Sequence, residues 1–189
     1  MAATLTWSKT LGSSASVTTR NDRQVVSGAT ASGNQVRITI KAGSGGSLTV
    51  YGCSIGVRDG TTGNYASTPT RITFDGGSNG CTVSAGTTKQ SDWISYNFDH
   101  TVTHLVHVYR ATGYIAYATT GSIYYDSNAV DESMEITGPD TYNSAQSRDI
   151  TEIWVDTVSG TANLKVAGIA AAAKAAAISD PAKVGGVSK

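Results

Sequence analysis

One short stretch constrains the fold more than any other. In QVRITIK, Val36, Ile38 and Ile40 alternate with Arg37, Thr39 and Lys41, a period of two that suits an extended strand with one face buried. The same texture recurs at intervals, and it predicts strands over residues 48–57, 70–74, 93–98, 104–110, 114–119, 122–125 and 152–158. Between them stand Gly43-Ser44-Gly45-Gly46, Asp59-Gly60, Gly76-Gly77-Ser78-Asn79-Gly80 and Ala111-Thr112-Gly113, residues that turn a chain sharply at little steric cost. Many short strands at such spacing point to a mostly β, antiparallel sandwich or jelly roll rather than to a βαβ fold.

Organisation follows from changes of texture. Residues 1–34 are polar and turn-rich, with isolated apolar residues such as Leu5, Trp7, Leu11 and Val17, and they read as an arm with a first strand. Residues 35–158 carry the sandwich. A segment over 126–150 has no clear period and reads as a long excursion between late strands, the kind of loop that tends to be functional or disordered. After Gly160 the run ANLKVAGIAAAAKAAAIS has high helix propensity, and Asp180-Pro181 supplies a stop. Residues 159–189 are therefore expected to be an Ala-rich helix or tail, with Leu164, Val166, Ile169 and Ile178 as its candidate docking residues. A helix with so few large apolar side chains is marginal alone.

Charge excludes some partners. The formal net charge is zero, so no basic field for nucleic acid is expected. The balance is uneven, since residues 1–158 hold 10 Lys and Arg against 13 Asp and Glu, whereas the tail holds four Lys against Asp180 alone. No stretch reaches the roughly 18 apolar residues of a membrane span. The start MAATLTWSKT lacks the pattern of a cleaved signal, and synthesis in the cytoplasm without one is expected. Two cysteines, Cys53 and Cys81, allow one disulfide or two reduced thiols.

Chemistry is sparse. The three histidines, His100, His104 and His107, fall in one strand region, where alternation can align His100 with His104 while His107 points away. Asp92 and Asp99 are the nearby acids that a catalytic reading needs. The G-x-S-x-G spacing occurs at Gly52 to Gly56 and at Gly76 to Gly80, but in strand and turn texture and not before a helix, so neither reads as a nucleophile elbow. No P-loop, H-E-x-x-H or EF-hand spacing occurs, and no catalytic residue, metal ligand or cofactor is assigned. The acids Asp126, Asp131, Glu132, Glu135 and Asp140 cluster in the late excursion, and loop carboxylates with carbonyls can hold calcium; a solvated acidic loop is the plainer reading. Aromatic residues offer more. Trp93, Tyr96, Tyr109, Tyr114 and Tyr117, with Tyr65, Tyr124, Tyr125 and Trp154 beside them, form a glycan-stacking platform if several share an exposed face.

Residues 35–118 also carry a resemblance. The R-x-x-I strand at Arg37 to Ile40, the T-F-D-G-G turn at Thr73 to Gly77, the S-A-G-T turn at Ser84 to Thr87 and Ser91-Asp92 before a strand resemble the jelly-roll domain beside the catalytic domain in some SGNH/GDSL-type esterases. The resemblance implies a fold. It does not carry catalysis, because the G-D-S and D-x-x-H blocks of those esterases are absent from this sequence. In general style, a jelly roll with an Ala-rich tail is also similar to the virion proteins of tailed bacteriophages. From these together we expect a non-catalytic virion structural protein, a capsid decoration, head-fibre or spike subunit that forms a homo-oligomer or docks on other virion subunits. A carbohydrate-binding module or receptor-binding adhesin is the alternative, and an esterase-like enzyme the third.

Overall fold

A computed structural model describes residues 3–157. The tail, with Leu164, Val166, Ile169 and Ile178 and the expected helix, lies outside the described residues.

Among the described residues the chain is all β. The elements in order are β1 (Thr4–Ser8), β2 (Ser13–Val17), β3 (Arg20–Val26), β4 (Gly33–Lys41), β5 (Leu48–Val57), β6 (Thr70–Arg71), β7 (Cys81–Val83), β8 (Thr88–Gln90), β9 (Ile94–Phe98), β10 (His104–Arg110), β11 (Gly113–Ala118), β12 (Ile123–Asp126), β13 (Thr141–Asn143), β14 (Ser147–Arg148) and β15 (Ile150–Asp156). They make three sheets. One runs β1-β15-β4-β8 with β9 also on β4, the second runs β13-β12-β3-β10-β5-β6 with β7 on β5, and a small third runs β14-β11-β2. Every pairing of these strands is antiparallel.

Alternation explains how two of the sheets meet. Val36, Ile38 and Ile40 of β4, with Ile153 and Val155 of β15, belong to one buried cluster with Val106 and Val108 of β10 and Leu48, Val50 and Ile55 of β5. Each such side chain contributes roughly 1.5–3 kcal/mol by leaving water. Cys53 and Cys81 sit in that cluster as free thiols. The first 34 residues, read as an arm with one strand, hold three strands, one in each sheet. One of them, β3, lies between β12 and β10 inside the largest sheet.

The middle of the seven-stranded sheet is buried on both faces. Every residue of β10, His104 to Arg110, is buried. On its core side lie Val106 and Val108, and at the end of that side Arg110 forms ion pairs with Asp22 and Asp149. Arg148 reaches Asp22 at 3.2 Å, so this charged seam joins β3, β10 and β14. Its opposite side carries Leu105, His107 and Tyr109, and the excursion after β12 covers it. Glycines make room: an added Cβ at Gly56 would lie 2.5 Å from the Tyr65 ring, and one at Gly52 would meet the Asp131 carboxylate and Ser133 Oγ.

Under that cover the contacts are polar. Arg23 of β3 is fully buried, and its guanidinium donates to the carbonyls of Gly63 (2.9 Å), Ile136 (3.0 Å), Glu132 (3.3 Å), Glu135 (2.6 Å) and Thr137 (3.2 Å). Its Nε donates to His107 Nδ1 at 3.0 Å, which leaves His107 Nε2 to donate to Asn21 Oδ1 at 2.9 Å. The Tyr65 ring lies against the same guanidinium, 4.2 Å from centroid to Cζ. A buried cation is tolerable when its donors are all taken, and this one holds the excursion down.

Candidate binding face

The outer face of the five-stranded sheet is built by the same alternation that builds its core. With Val36, Ile38 and Ile40 inward, Arg37 and Thr39 of β4 point outward. Register then places their neighbours. Leu5 pairs with Trp154, Trp154 pairs with Arg37, and the next step beyond the Val36 and Ile94 pair sets Arg37 beside Trp93. Leu5, Trp154, Arg37 and Trp93 thus form one row across four strands, about 14 Å long at roughly 4.8 Å per strand. Leu5 is 39% exposed, and the other three are half-buried.

The row is held from within. The Arg37 Cζ lies 4.5 Å from the Trp93 ring centroid, a stacked cation on an indole face. Glu152, two residues from Trp154 on β15, accepts from Trp154 Nε1 at 3.0 Å and from Thr39 Oγ1 at 2.9 Å. On the other side of the row, Asn34, Gln35, Ser95 and Asn97 line a shallow depression of about 340 Å³. Flat aromatic faces beside fixed amide and hydroxyl groups can stack a sugar ring and read its hydroxyls.

The five aromatic residues expected to form a platform are spread over three sheets. Trp93 lies in the row. Tyr96 turns inward, where its hydroxyl meets His104 Nδ1 at 2.8 Å. Tyr109, 9% exposed, lies under the excursion and donates to the Ala129 carbonyl at 2.8 Å. Tyr114 and Tyr117 stand on β11; the ring of Tyr114 rests on Gly45 and Gly46, and Tyr117 packs on the core. Arg37 was missed as a candidate. Its strand position was legible, but its indole neighbours come from strands far away in the chain.

The histidines and acids are also placed. His104 stacks on Phe98 at 4.2 Å between centroids, and its Nε2 faces the backbone carbonyl of Asp99 at 2.9 Å. The Asp99 carboxylate instead caps Thr101. That of Asp92 accepts from Gly76 and Gly77 N–H, both 2.9 Å, and from Thr73 Oγ1 at 2.8 Å. Burial drives the His107 pKa well below its ordinary value, helped by Arg23 and Arg110. His100 meets Ser32 Oγ at 2.8 Å. Neither carboxylate orients an imidazole here.

In the excursion, Asp126, Glu132, Glu135 and Asp140 line a cleft of about 550 Å³. Among the described residues no three His, Cys, Asp or Glu are grouped to hold a metal ion. The carbonyls of Glu132, Glu135 and Thr137 in this loop accept from Arg23.

The class defined by these features is an all-β protein of antiparallel sheets with one side-chain-rich open sheet face. No protein-family model matches the chain, and no curated protein matches it.

Proposed function

We propose that the chain is a non-catalytic binding protein of sandwich or jelly-roll architecture, acting as a carbohydrate-binding module or receptor-binding adhesin. The observation that carries this reading is the row of Leu5, Trp154, Arg37 and Trp93 beside the depression of Asn34, Gln35, Ser95 and Asn97. Aromatic rings and fixed planar polar groups on rigid strands supply stacking and orientation together. Glycan-array binding by the full chain tests it. Trp154→Ala and Trp93→Ala should each weaken binding by roughly tenfold or more, at about 1.4 kcal/mol per decade, with the denaturation midpoint little changed. An array that stays silent counts against it.

Assembly in a virus particle, as a decoration, fibre or spike subunit, is the second reading, and the same row favours it. Trp and Arg dominate the energetics of protein interfaces. Under this reading the purified chain forms a defined oligomer that Trp154→Ala dissociates, as measured by light scattering. The virion setting itself rests on the sequence likeness to phage virion proteins. For the third reading, ester hydrolysis, no residue set is proposed, since His104 and His107 are both committed to structural partners.

A further inference from the structure

We infer that the open sheet face binds carboxylate-bearing, that is acidic, glycans, and that Arg37 is the residue that reads the carboxylate. The inference rests on the carbohydrate-binding reading above and names its ligand class.

Three observations carry it. First, Arg37 stands in the middle of the row with an indole on either side. Second, among the described residues it donates no hydrogen bond and forms no ion pair, and its Nε is shielded from solvent without a partner. Arg20, over the Tyr125 ring, also has an unpartnered shielded Nε but stands outside the row; Arg23 donates to five carbonyls and His107, Arg110 to Asp22 and Asp149, and Arg148 to Gln146 and Asp22. Third, the acids of the face are not paired with it. Glu152 is taken by Thr39 and Trp154, and Asp156, two residues along β15, makes no ion pair with Arg37.

A guanidinium presents a rigid fork that matches a carboxylate in two parallel hydrogen bonds. Stacking on Trp93 fixes the plane of that fork before any ligand arrives, so little freedom is lost on binding. Of the Arg37 donors only Nε is shielded; the Nη groups make no hydrogen bond among the described residues and are the donors a ligand oxygen can reach. A uronic or sialic acid satisfies all three features at once, its carboxylate on Arg37, its ring on Trp154 and its hydroxyls toward Gln35, Ser95 and Asn97. A neutral sugar leaves the fork unfilled.

The test uses the full chain and an array of paired oligosaccharides, each uronate- or sialate-containing member printed beside its carboxyl-reduced form. The carboxylate form should bind roughly tenfold more tightly than its reduced partner, and this preference should shrink as salt is raised. Arg37→Gln should abolish the preference, bringing the carboxylate form down to the level of its reduced partner, and Arg37→Lys should keep only part of it. Equal binding of both forms, with Arg37→Gln unchanged, overturns the inference and leaves the carbohydrate-binding reading standing. Silence on every member, or a protein self-association that Arg37→Gln abolishes, overturns both. Should Arg37→Gln fail to fold, the salt series on the unaltered chain decides, and a salt-independent profile overturns the inference.

Discussion

Arg23 is the residue on which most backbone groups converge. One guanidinium satisfies five carbonyls and an imidazole, so its removal strands several buried polar groups at once. Arg23→Met should lower stability by about 3 kcal/mol or more, and Arg23→Lys should not rescue it, because an ammonium has three donors and no fork. Urea denaturation checks this, and a loss below about 1 kcal/mol would contradict it. Asp149 gives the second residue-scale prediction. Burial pushes its carboxyl up to about 7, overcoming the attraction of Arg110, and it sits at φ 60°, a conformation Asn also adopts. Because its folded value exceeds the ordinary 3.8, its stabilising effect is complete below that value and is lost as pH rises through about 7. Buried His107 works oppositely: its folded value lies below the ordinary 6.5, so its contribution is present above 6.5 and lost as pH falls. The two slopes oppose each other in weak acid. Asp149→Asn should unmask the histidine slope, so that stability climbs more steeply with pH in weak acid, below the ordinary histidine value of 6.5, by up to roughly 1.4 kcal/mol per pH unit. Parallel pH profiles for the two proteins would sink the idea.

Among the elements, β5 shows how one strand serves two layers. Its core side presents Val50, Cys53 and Ile55, while Gly52 and Gly56 on the other side let the excursion and Tyr65 approach the sheet. Between Gly52 and Val50 the register against β10 slips, and Tyr51 is left as an extra, 53% exposed residue; such a bulge absorbs a mismatch between faces. Gly56→Ala should therefore cost about 1–3 kcal/mol by overpacking. It should also raise hydrogen exchange over residues 127–140 before the rest of the chain. Uniform exchange across the molecule would place the damage elsewhere. The turn before β7 is a second local device: Asp75, Gly76 and Gly77 all have positive φ, and their successive N–H groups form a cradle for an anion. The carboxylate of Asp92 fills it, which gives the Thr73 to Gly77 turn and Ser91-Asp92 a joint structural purpose.

For the whole molecule, the main consequence is that noncovalent packing carries the fold. Cys53 and Cys81 are free and buried, and burial pushes both thiols up, Cys81 to about 11, which keeps them unreactive. Melting temperature should thus be the same with and without reductant, to within about 2 °C, since no loop is closed by a disulfide. A clear drop on adding reductant would show that a bridge forms after all. The charged seam of Arg110, Asp22, Asp149 and Arg148 links strands of different sheets, and its members are far apart in the chain, so it forms only once the sheets have met.

Much of this was legible in the sequence where burial is apolar and alternating. The period of two in Val36, Ile38 and Ile40 identified β4 and which of its faces is buried, and the predicted strands over 48–57 and 104–110 coincide with β5 and β10. What escaped was burial by hydrogen bonding. Arg20 to Gln24 read as polar arm because their outward side chains meet carbonyls and an imidazole instead of apolar atoms, a condition no local period records. The platform of tyrosines was likewise a composition without an address. Only the pairing of β1, β15, β4 and β9, strands drawn from both ends and the middle of the chain, decided that Leu5, Trp154, Arg37 and Trp93 share a row. Side-chain periodicity is a property of each strand alone, whereas neighbourhood across a sheet is set by register between strands that the sequence keeps apart.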